Sequence, residues 1–151
     1  MGALAEFPDL VKSVFLTQSI NDVGIQAVRF YIRGKPWVVT IDDSLYVDSD
    51  NKLFFAGLGE SNTLWGPLLE KAWAKVRGSY ASADKGGTFT TGIKALVGSP
   101  VYYYASTDYT GDQIYSMVTS ANDVDYIMGA GTDGGDGSDQ ETNSCGIATS
   151  H

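Results

Sequence analysis

The segment at residues 64–88 constrains the fold more than any other part of the sequence, because it holds the clearest helical pattern. Its apolar residues recur every three or four positions, and they are Trp65, Leu68, Leu69, Ala72 and Val76. Pro67 suits the first turn of a helix, Gly78 is a typical C-terminal stop, and Asn62 and Thr63 are candidate capping residues. The segment therefore predicts an amphipathic helix against which the other elements pack.

Extended runs earlier in the chain predict a small antiparallel sheet. Residues 23–32 and 37–43 are rich in β-branched and aromatic residues, and they flank a Gly/Pro turn at residues 33–36. This pattern is typical of a hairpin. Residues 52–56 are predicted to add a third strand and to complete a small meander.

Helical patterns also stand on either side of these elements. Residues 3–16 predict the end of one helix, a break at Pro8 and a short second helix. Residues 88–97 predict a further helix that ends at Gly98.

The dipeptide Ser99-Pro100 is interpreted as a hinge between two lobes. Beyond it the patterns predict two strands and one helix, at residues 101–105, 124–128 and 112–121. The predicted domains are residues 1–98 and residues 99–151.

Charge and hydropathy exclude two classes of partner. The formal net charge is −8; residues 1–94 hold ten acidic and ten basic residues, whereas residues 95–151 hold eight acidic residues and no Lys or Arg. Nucleic-acid binding needs clustered Lys or Arg, which this distribution does not provide. No apolar run approaches the roughly 20 residues of a membrane span. We expect a soluble protein with no nucleic-acid partner.

The single cysteine, Cys145, excludes an internal disulfide and any zinc site built from several thiolates. It is compatible with a reducing compartment.

Residues 129–143 predict a mobile acidic loop that contains one near-copy of a calcium-binding nonapeptide. Glu141 stands where that motif needs a large apolar residue, and such sites need stacked repeats. We therefore predict no metal site from this loop.

The amino-acid sequence of residues 64–75 resembles the protease core of the calpains, which are papain-like cysteine endopeptidases. The resemblance continues at Gly78-x-Tyr80 and Gly86-Gly87. The predicted hairpin matches the same family at Gly34, Trp37, Val38, Val39, Ile41, Asp42 and Asp43. The resemblance implies a partial papain-like α+β fold, in which a helical lobe with a small antiparallel meander is followed by the start of a β-rich lobe.

The resemblance also implies site residues. A papain-like enzyme needs a thiolate, an imidazole and an orienting amide, in the chain order Cys, His, Asn. The ending at residues 146–151 is similar to the family segment that ends in the catalytic histidine, which implies His151 as the base. Gly86 and Gly87 match a Gly-Gly pair against which an extended substrate lies. The alternative for this pair is an ordinary loop.

Two parts of the catalytic set have no match in the sequence. The nucleophile motif Gln…Gly-Asp-Cys-Trp would stand just before Ala3, and the orienting Asn would follow His151. Cys145 precedes His151 by six residues and is interpreted as a structural or free thiol. The expected function is that of a calpain-like intracellular cysteine endopeptidase, present as a truncated and inactive portion. The alternative is a non-catalytic calpain-like binding or regulatory module.

The resemblance further bears on calcium, location and partners. In calcium-dependent members an acidic ligand stands two residues before the tryptophan that matches Trp65. Here that position is Thr63, so calcium would need Glu60 as a substitute. We expect a cytoplasmic protein that acts on protein or peptide substrates. We also expect self-association through faces left open by the missing segments, including apolar surface around Leu4.

Overall fold

The computed structural model describes residues 2–19, 21–59, 62–85 and 87–131, except the side chain of Asp84. The chain forms two compact units, Met1–Tyr103 and Tyr104–His151, which we describe separately. The predicted division into protease lobes at residues 98 and 99 stays a prediction.

The described part of the first unit contains the predicted helices and one more. In chain order they are α1 (Gly2–Ala5), α2 (Pro8–Val14), α3 (Trp65–Arg77), α4 (Tyr80–Asp84) and α5 (Phe89–Val97). Pro8 occupies the first turn of α2, where its missing N–H costs no hydrogen bond. Helix α4 was not predicted, and the side chain of Ser79 caps it by accepting a hydrogen bond from the N–H of Ser82. Left-handed glycines end α3 at Gly78 and α5 at Gly98, as predicted.

The predicted hairpin is confirmed as two antiparallel strands, β1 (Ile25–Ile32) and β2 (Lys35–Asp42). Arg33 and Gly34 both have positive φ, 51° and 76°, as a two-residue type I′ turn requires. The turn is therefore shorter than the predicted four residues, and Pro36 lies within β2.

The third predicted strand, at residues 52–56, is wrong. Among the described residues the sheet has two strands, and only an isolated bridge joins Val47 to Leu53. The Asp48 carboxylate accepts hydrogen bonds from the N–H groups of Asp50 and Lys52, at 2.8 and 2.9 Å. Beyond this turn the N–H of Phe54 donates to the carbonyl of Tyr46 at 3.0 Å, so the segment pairs with the residues just before the turn and not with β2.

The core lies between the hairpin and α3. Val28 and Phe30 on β1 are completely buried, and the rings of Phe30 and Trp73 lie 5.7 Å apart between centroids. The predicted stripe of α3 is buried at its centre, at Leu68, Leu69 and Ala72. Trp65 and Val76 are only half-buried.

Leu4 is fully buried in the first unit. The predicted open apolar surface at this residue is therefore wrong. The short helix α1 turns back toward α2, and the N–H of Phe7 donates a hydrogen bond to the carbonyl of Leu4 at 3.0 Å. This turn places the Leu4 side chain inside the unit.

The second unit contains the predicted helix as α6 (Gly111–Asn122), after a short 3-10 turn at Ser106–Asp108. Thr110 and Gln113 form a capping box at the start of α6. The predicted strands at residues 101–105 and 124–128 are wrong, because both segments are irregular in the structure. A strand needs a neighbour for its backbone groups, and neither segment has one among the described residues.

Candidate functional site

The structure describes only one of the three predicted site residues. His151 and Gly86 lie outside the described residues, as does Cys145. Gly87 is exposed on the irregular segment before α5, and a Cβ atom built there meets no heavy atom within 4 Å. The backbone of Gly87 is therefore open on that side. The relative positions of the predicted catalytic residues stay a prediction.

The neighbouring carboxylates Asp42 and Asp43 are held in different surroundings. Asp42 Oδ1 accepts hydrogen bonds from Lys71 Nζ at 2.7 Å and from the backbone N–H of Ser44 at 2.9 Å. The Lys71 ammonium, followed by Ser44, holds the pKa of the Asp42 carboxyl well below its usual range. The Asp43 carboxylate lies over Gly24, where an added Cβ would come within 2.6 Å of Asp43 Oδ1. This arrangement gives both carboxylates a structural role.

The described part of the first unit has a groove of about 710 Å³ between β2 and α3. Two lysines of α3 reach across it to the strand side. Lys71 Nζ bonds Asp42 and the carbonyl of Ser44, and Lys75 Nζ donates to the carbonyl of Thr40 at 2.6 Å. These ammonium groups connect α3 to β2 and to the loop that follows it.

Aromatic side chains stand at the end of the groove where α3 meets α4. Tyr80 stacks on Phe55 with ring centroids 4.0 Å apart and planes inclined by 5°. Tyr46 meets both rings edge-on, at 6.3 Å from Phe55 and 6.0 Å from Tyr80. Burial, and then the nearby Glu70 carboxylate, raise the pKa of the Tyr80 phenol. Tyr80 therefore stays protonated at neutral pH and can donate a hydrogen bond.

The groove has the chemistry of a binding surface. It presents ammonium, hydroxyl and aromatic groups, whereas the chain's single cysteine and single histidine lie outside the described residues. Papain-like hydrolysis needs a thiolate and an imidazole together. No step of that reaction can be assigned to the groove.

The expected calcium ligand position, Thr63, lies in the loop that leads into α3. The N–H of Gly59 donates to the carbonyl of Thr63 at 3.0 Å, and Glu60 lies outside the described residues. In the part of the chain that the structure describes, no three His, Cys, Asp or Glu residues are grouped closely enough to hold a metal ion. Calcium binding with Glu60 as a substitute ligand therefore stays a prediction.

Comparison with known proteins decides the family. The family model for the calpain family of cysteine proteases matches residues 1–151. The chain belongs to the calpain family. The calpain-type cysteine protease DEK1 of Zea mays is 33% identical over 150 residues, which cover 93% of this chain and 7% of that protein. The calpain-1 catalytic subunit of Homo sapiens is 34% identical over 97 residues, which cover 64% of this chain and 13% of that protein.

This calpain-family chain therefore spans only a small part of the relatives that it matches. The resemblance read from residues 64–87 is confirmed. The helices and the hairpin agree with part of an α+β calpain core. Within the described residues, no helix is both long and apolar enough to cross a membrane.

Sequence reasoning did not find the two lysines that face β2. A signal was present, because Lys71 and Lys75 stand four residues apart and therefore share one face of α3. The spacing alone does not tell what that face meets. Only the packing of α3 on the hairpin shows that Lys75 reaches a backbone carbonyl of β2 and that Lys71 reaches one in the loop after it.

Proposed function

We propose that this calpain-family chain serves peptide-bond hydrolysis by the Cys-His-Asn mechanism, with His151 as the base. The family match across residues 1–151 is the observation that supports the proposal. In this mechanism the imidazole keeps the thiol ionised, and it then protonates the leaving amine. Proteins or peptides are the proposed substrates.

We further propose that the 151 residues by themselves are an inactive portion of such an enzyme. Their one cysteine is Cys145, and no segment matches the family's Gln…Gly-Asp-Cys-Trp motif. Cys145 also precedes His151 too closely to take part in a papain-like pair. The nucleophile would have to come from residues that are not among these 151.

Gly86 and Gly87 are the proposed substrate-binding residues. An extended peptide can approach a backbone that carries no side chain and can form hydrogen bonds with it. The open space beside Gly87 supports this role. A side chain at this position would obstruct the substrate without disturbing the packing of the protein.

A chimera tests the catalytic proposal. The matching 150 residues of Zea mays DEK1 are replaced by this chain, so that the relative supplies the missing catalytic segments. We expect the chimera to cleave a peptide substrate, His151→Ala to lower kcat/KM by at least about 10³-fold, and Gly87→Ala to raise KM. Gly111→Ala is the matched control, because a Cβ there also meets nothing within 4 Å. A chimera that melts cooperatively like the relative but does not cleave would refute the proposal.

The isolated chain gives a second test. We expect it neither to hydrolyse peptides nor to be labelled at Cys145 by an epoxide directed at papain-like thiols. Rapid stoichiometric labelling that disappears in His151→Ala would overturn the assignment of Cys145 as a non-catalytic thiol.

A non-catalytic binding or regulatory module is the second candidate function. It is favoured by the groove, which presents ammonium, hydroxyl and aromatic groups that could bind a peptide. Peptide binding without cleavage by the chimera would support this candidate.

We also propose a cytoplasmic location, because the single cysteine is compatible with a reducing compartment.

We further propose that copies of the chain associate with one another. Light scattering of the isolated chain at moderate salt should give more than the 16.1 kDa of one copy. A monomeric mass across the salt range would count against self-association.

A further inference from the structure

The two edges of the hairpin differ in how their backbone groups are satisfied. On β1, the N–H of Ala27 donates to Thr17 Oγ1 at 3.1 Å, and its carbonyl accepts from the N–H of Leu16 at 2.8 Å. Both groups of Ala27 therefore point away from β2. In an antiparallel pair, directly opposed residues point their backbone groups either both inward or both outward. Thr40, which stands opposite Ala27, consequently points its groups away from β1.

The same alternation gives the outward residues along the rest of β2. Val38 stands opposite Arg29, two positions from Thr40, so its N–H and carbonyl also point outward. Pro36 is the next outward residue and has no N–H to leave unpaired, which is the usual position of proline in an edge strand. The outer edge of β2 is defined here as residues 36–40.

This outer edge has open hydrogen-bonding groups. The carbonyl of Thr40 accepts from Lys75 Nζ. Within the described ranges, the N–H and carbonyl of Val38 and the N–H of Thr40 form no hydrogen bond with another part of the protein. These three groups of Val38 and Thr40 are in regular strand geometry and are available to an incoming chain.

Exposed apolar side chains flank the open groups. Trp37 is 62% exposed and Val38 is 52% exposed. They point to opposite faces of the sheet, because neighbouring strand residues alternate. An added strand would present its own alternating side chains to both, which would shield these two residues from water.

The charge around the outer edge is positive. Arg33, Lys35 and Lys75 are exposed and form no ion pair with any residue in the described part of the chain. Residues 23–41 contain no Asp or Glu. Lys71 is already neutralised by Asp42 at one end of the strand. Complementary charge favours an acidic partner and suppresses a basic one.

We propose that the outer edge of β2 binds an extended acidic peptide segment of another protein by strand addition. Val38 donates one hydrogen bond to the added strand and accepts another, and the N–H of Thr40 donates a third. Lys75 exchanges the Thr40 carbonyl for a carboxylate of the peptide, and the released carbonyl accepts a peptide N–H. Lys35 binds a second carboxylate. Binding is measured without cleavage, so this proposal does not depend on the proposed hydrolysis.

A capped, fluorescein-labelled octapeptide of alternating Glu and Val is the probe. We expect saturable binding to the 151-residue chain by fluorescence polarisation, weakening as salt is raised from about 50 to about 500 mM. The same peptide with Lys in place of Glu should not bind. Lys35→Gln combined with Lys75→Gln should weaken binding roughly fivefold, whereas Lys12→Gln combined with Lys94→Gln should leave it unchanged.

Backbone methylation of the probe tests strand addition without altering the protein. Two isomers of the probe carry N-methyl groups on alternate residues, one on the Glu residues and the other on the Val residues. An added strand pairs along only one of its own edges, so methylation should abolish binding in one isomer and spare it in the other. Binding of both isomers as tightly as the parent peptide would overturn the proposal. Equal binding of the acidic and basic peptides would also overturn it, as would a dimeric mass with no peptide binding, which would assign the edge to a second copy.

Discussion

Gly98 ends α5 against the ring of Tyr31, and its replacement by alanine tests how tightly α5 is fitted to the hairpin. The φ angle of Gly98 is +74°, a conformation that residues with a side chain rarely adopt. A Cβ atom there would lie 2.7 Å from both Cγ and Cδ1 of Tyr31. Cγ is attached directly to the Tyr31 Cβ, so the ring can give way only by a change of its χ1 angle or by movement of β1 or α5.

The expected cost of Gly98→Ala has two parts. The left-handed conformation costs about 1–2 kcal/mol for a residue with a Cβ. Overpacking against the Tyr31 ring adds about 1–3 kcal/mol. We therefore expect the free energy of unfolding to fall by roughly 2–5 kcal/mol. Gly87→Ala is the matched control and should change it by less than about 0.5 kcal/mol, because a Cβ there meets nothing within 4 Å.

Urea unfolding followed by far-ultraviolet circular dichroism measures both variants. Repeating Gly98→Ala in a Tyr31→Ala background separates the two parts, because removal of the ring leaves only the conformational cost of about 1–2 kcal/mol. An equal cost of Gly98→Ala in both backgrounds would show that the ring is not the obstacle. A cost no larger than that of Gly87→Ala would refute the whole account.

Three further predictions concern single side chains. Lys71→Met should raise the pKa of Asp42 toward its ordinary value of about 3.9. Because the folded pKa is depressed, the ion pair stabilises the protein above the ordinary pKa, and this stabilisation is lost as pH falls through the folded pKa. NMR titration of Asp42 and acid unfolding should therefore both change in the variant, and an unchanged Asp42 titration would contradict this. Leu69→Ala should lower the free energy of unfolding by about 2–5 kcal/mol, because Leu69 is 2% exposed; a loss under about 1 kcal/mol in urea unfolding would contradict close packing there. Thr110→Ala should destabilise α6 by about 0.5–2 kcal/mol and lower its helix content by circular dichroism, whereas Thr107→Ala, which caps no helix, should not; equal effects would argue against the capping box.

The family could be identified from the sequence because several motifs resemble those of the calpains. The candidate site residues were chosen from the same resemblance. Gly86, Gly87 and His151 were chosen by their match to calpain motifs, since no physical pattern around them distinguishes a site from a loop. Gly87 is exposed as a substrate-binding backbone needs to be. The assignment of all three residues to a catalytic or substrate-binding role remains a prediction.

The sequence by itself determined the elements whose signals are local. The helical stripe of α3, the glycines that end α3 and α5, and the β-rich runs of the hairpin were all readable, because backbone preference and side-chain period act over a few neighbouring residues.

Only the tertiary structure decided where partners were needed. Residues 52–56, 101–105 and 124–128 have strand-like composition but do not form strands, because a strand is made by a neighbour that its own sequence does not encode. Lys71 and Asp42 are 29 positions apart, and they meet only because α3 lies beside β2. The open edge of β2 arises in the same way, since the register of the hairpin sets which backbone groups face outward.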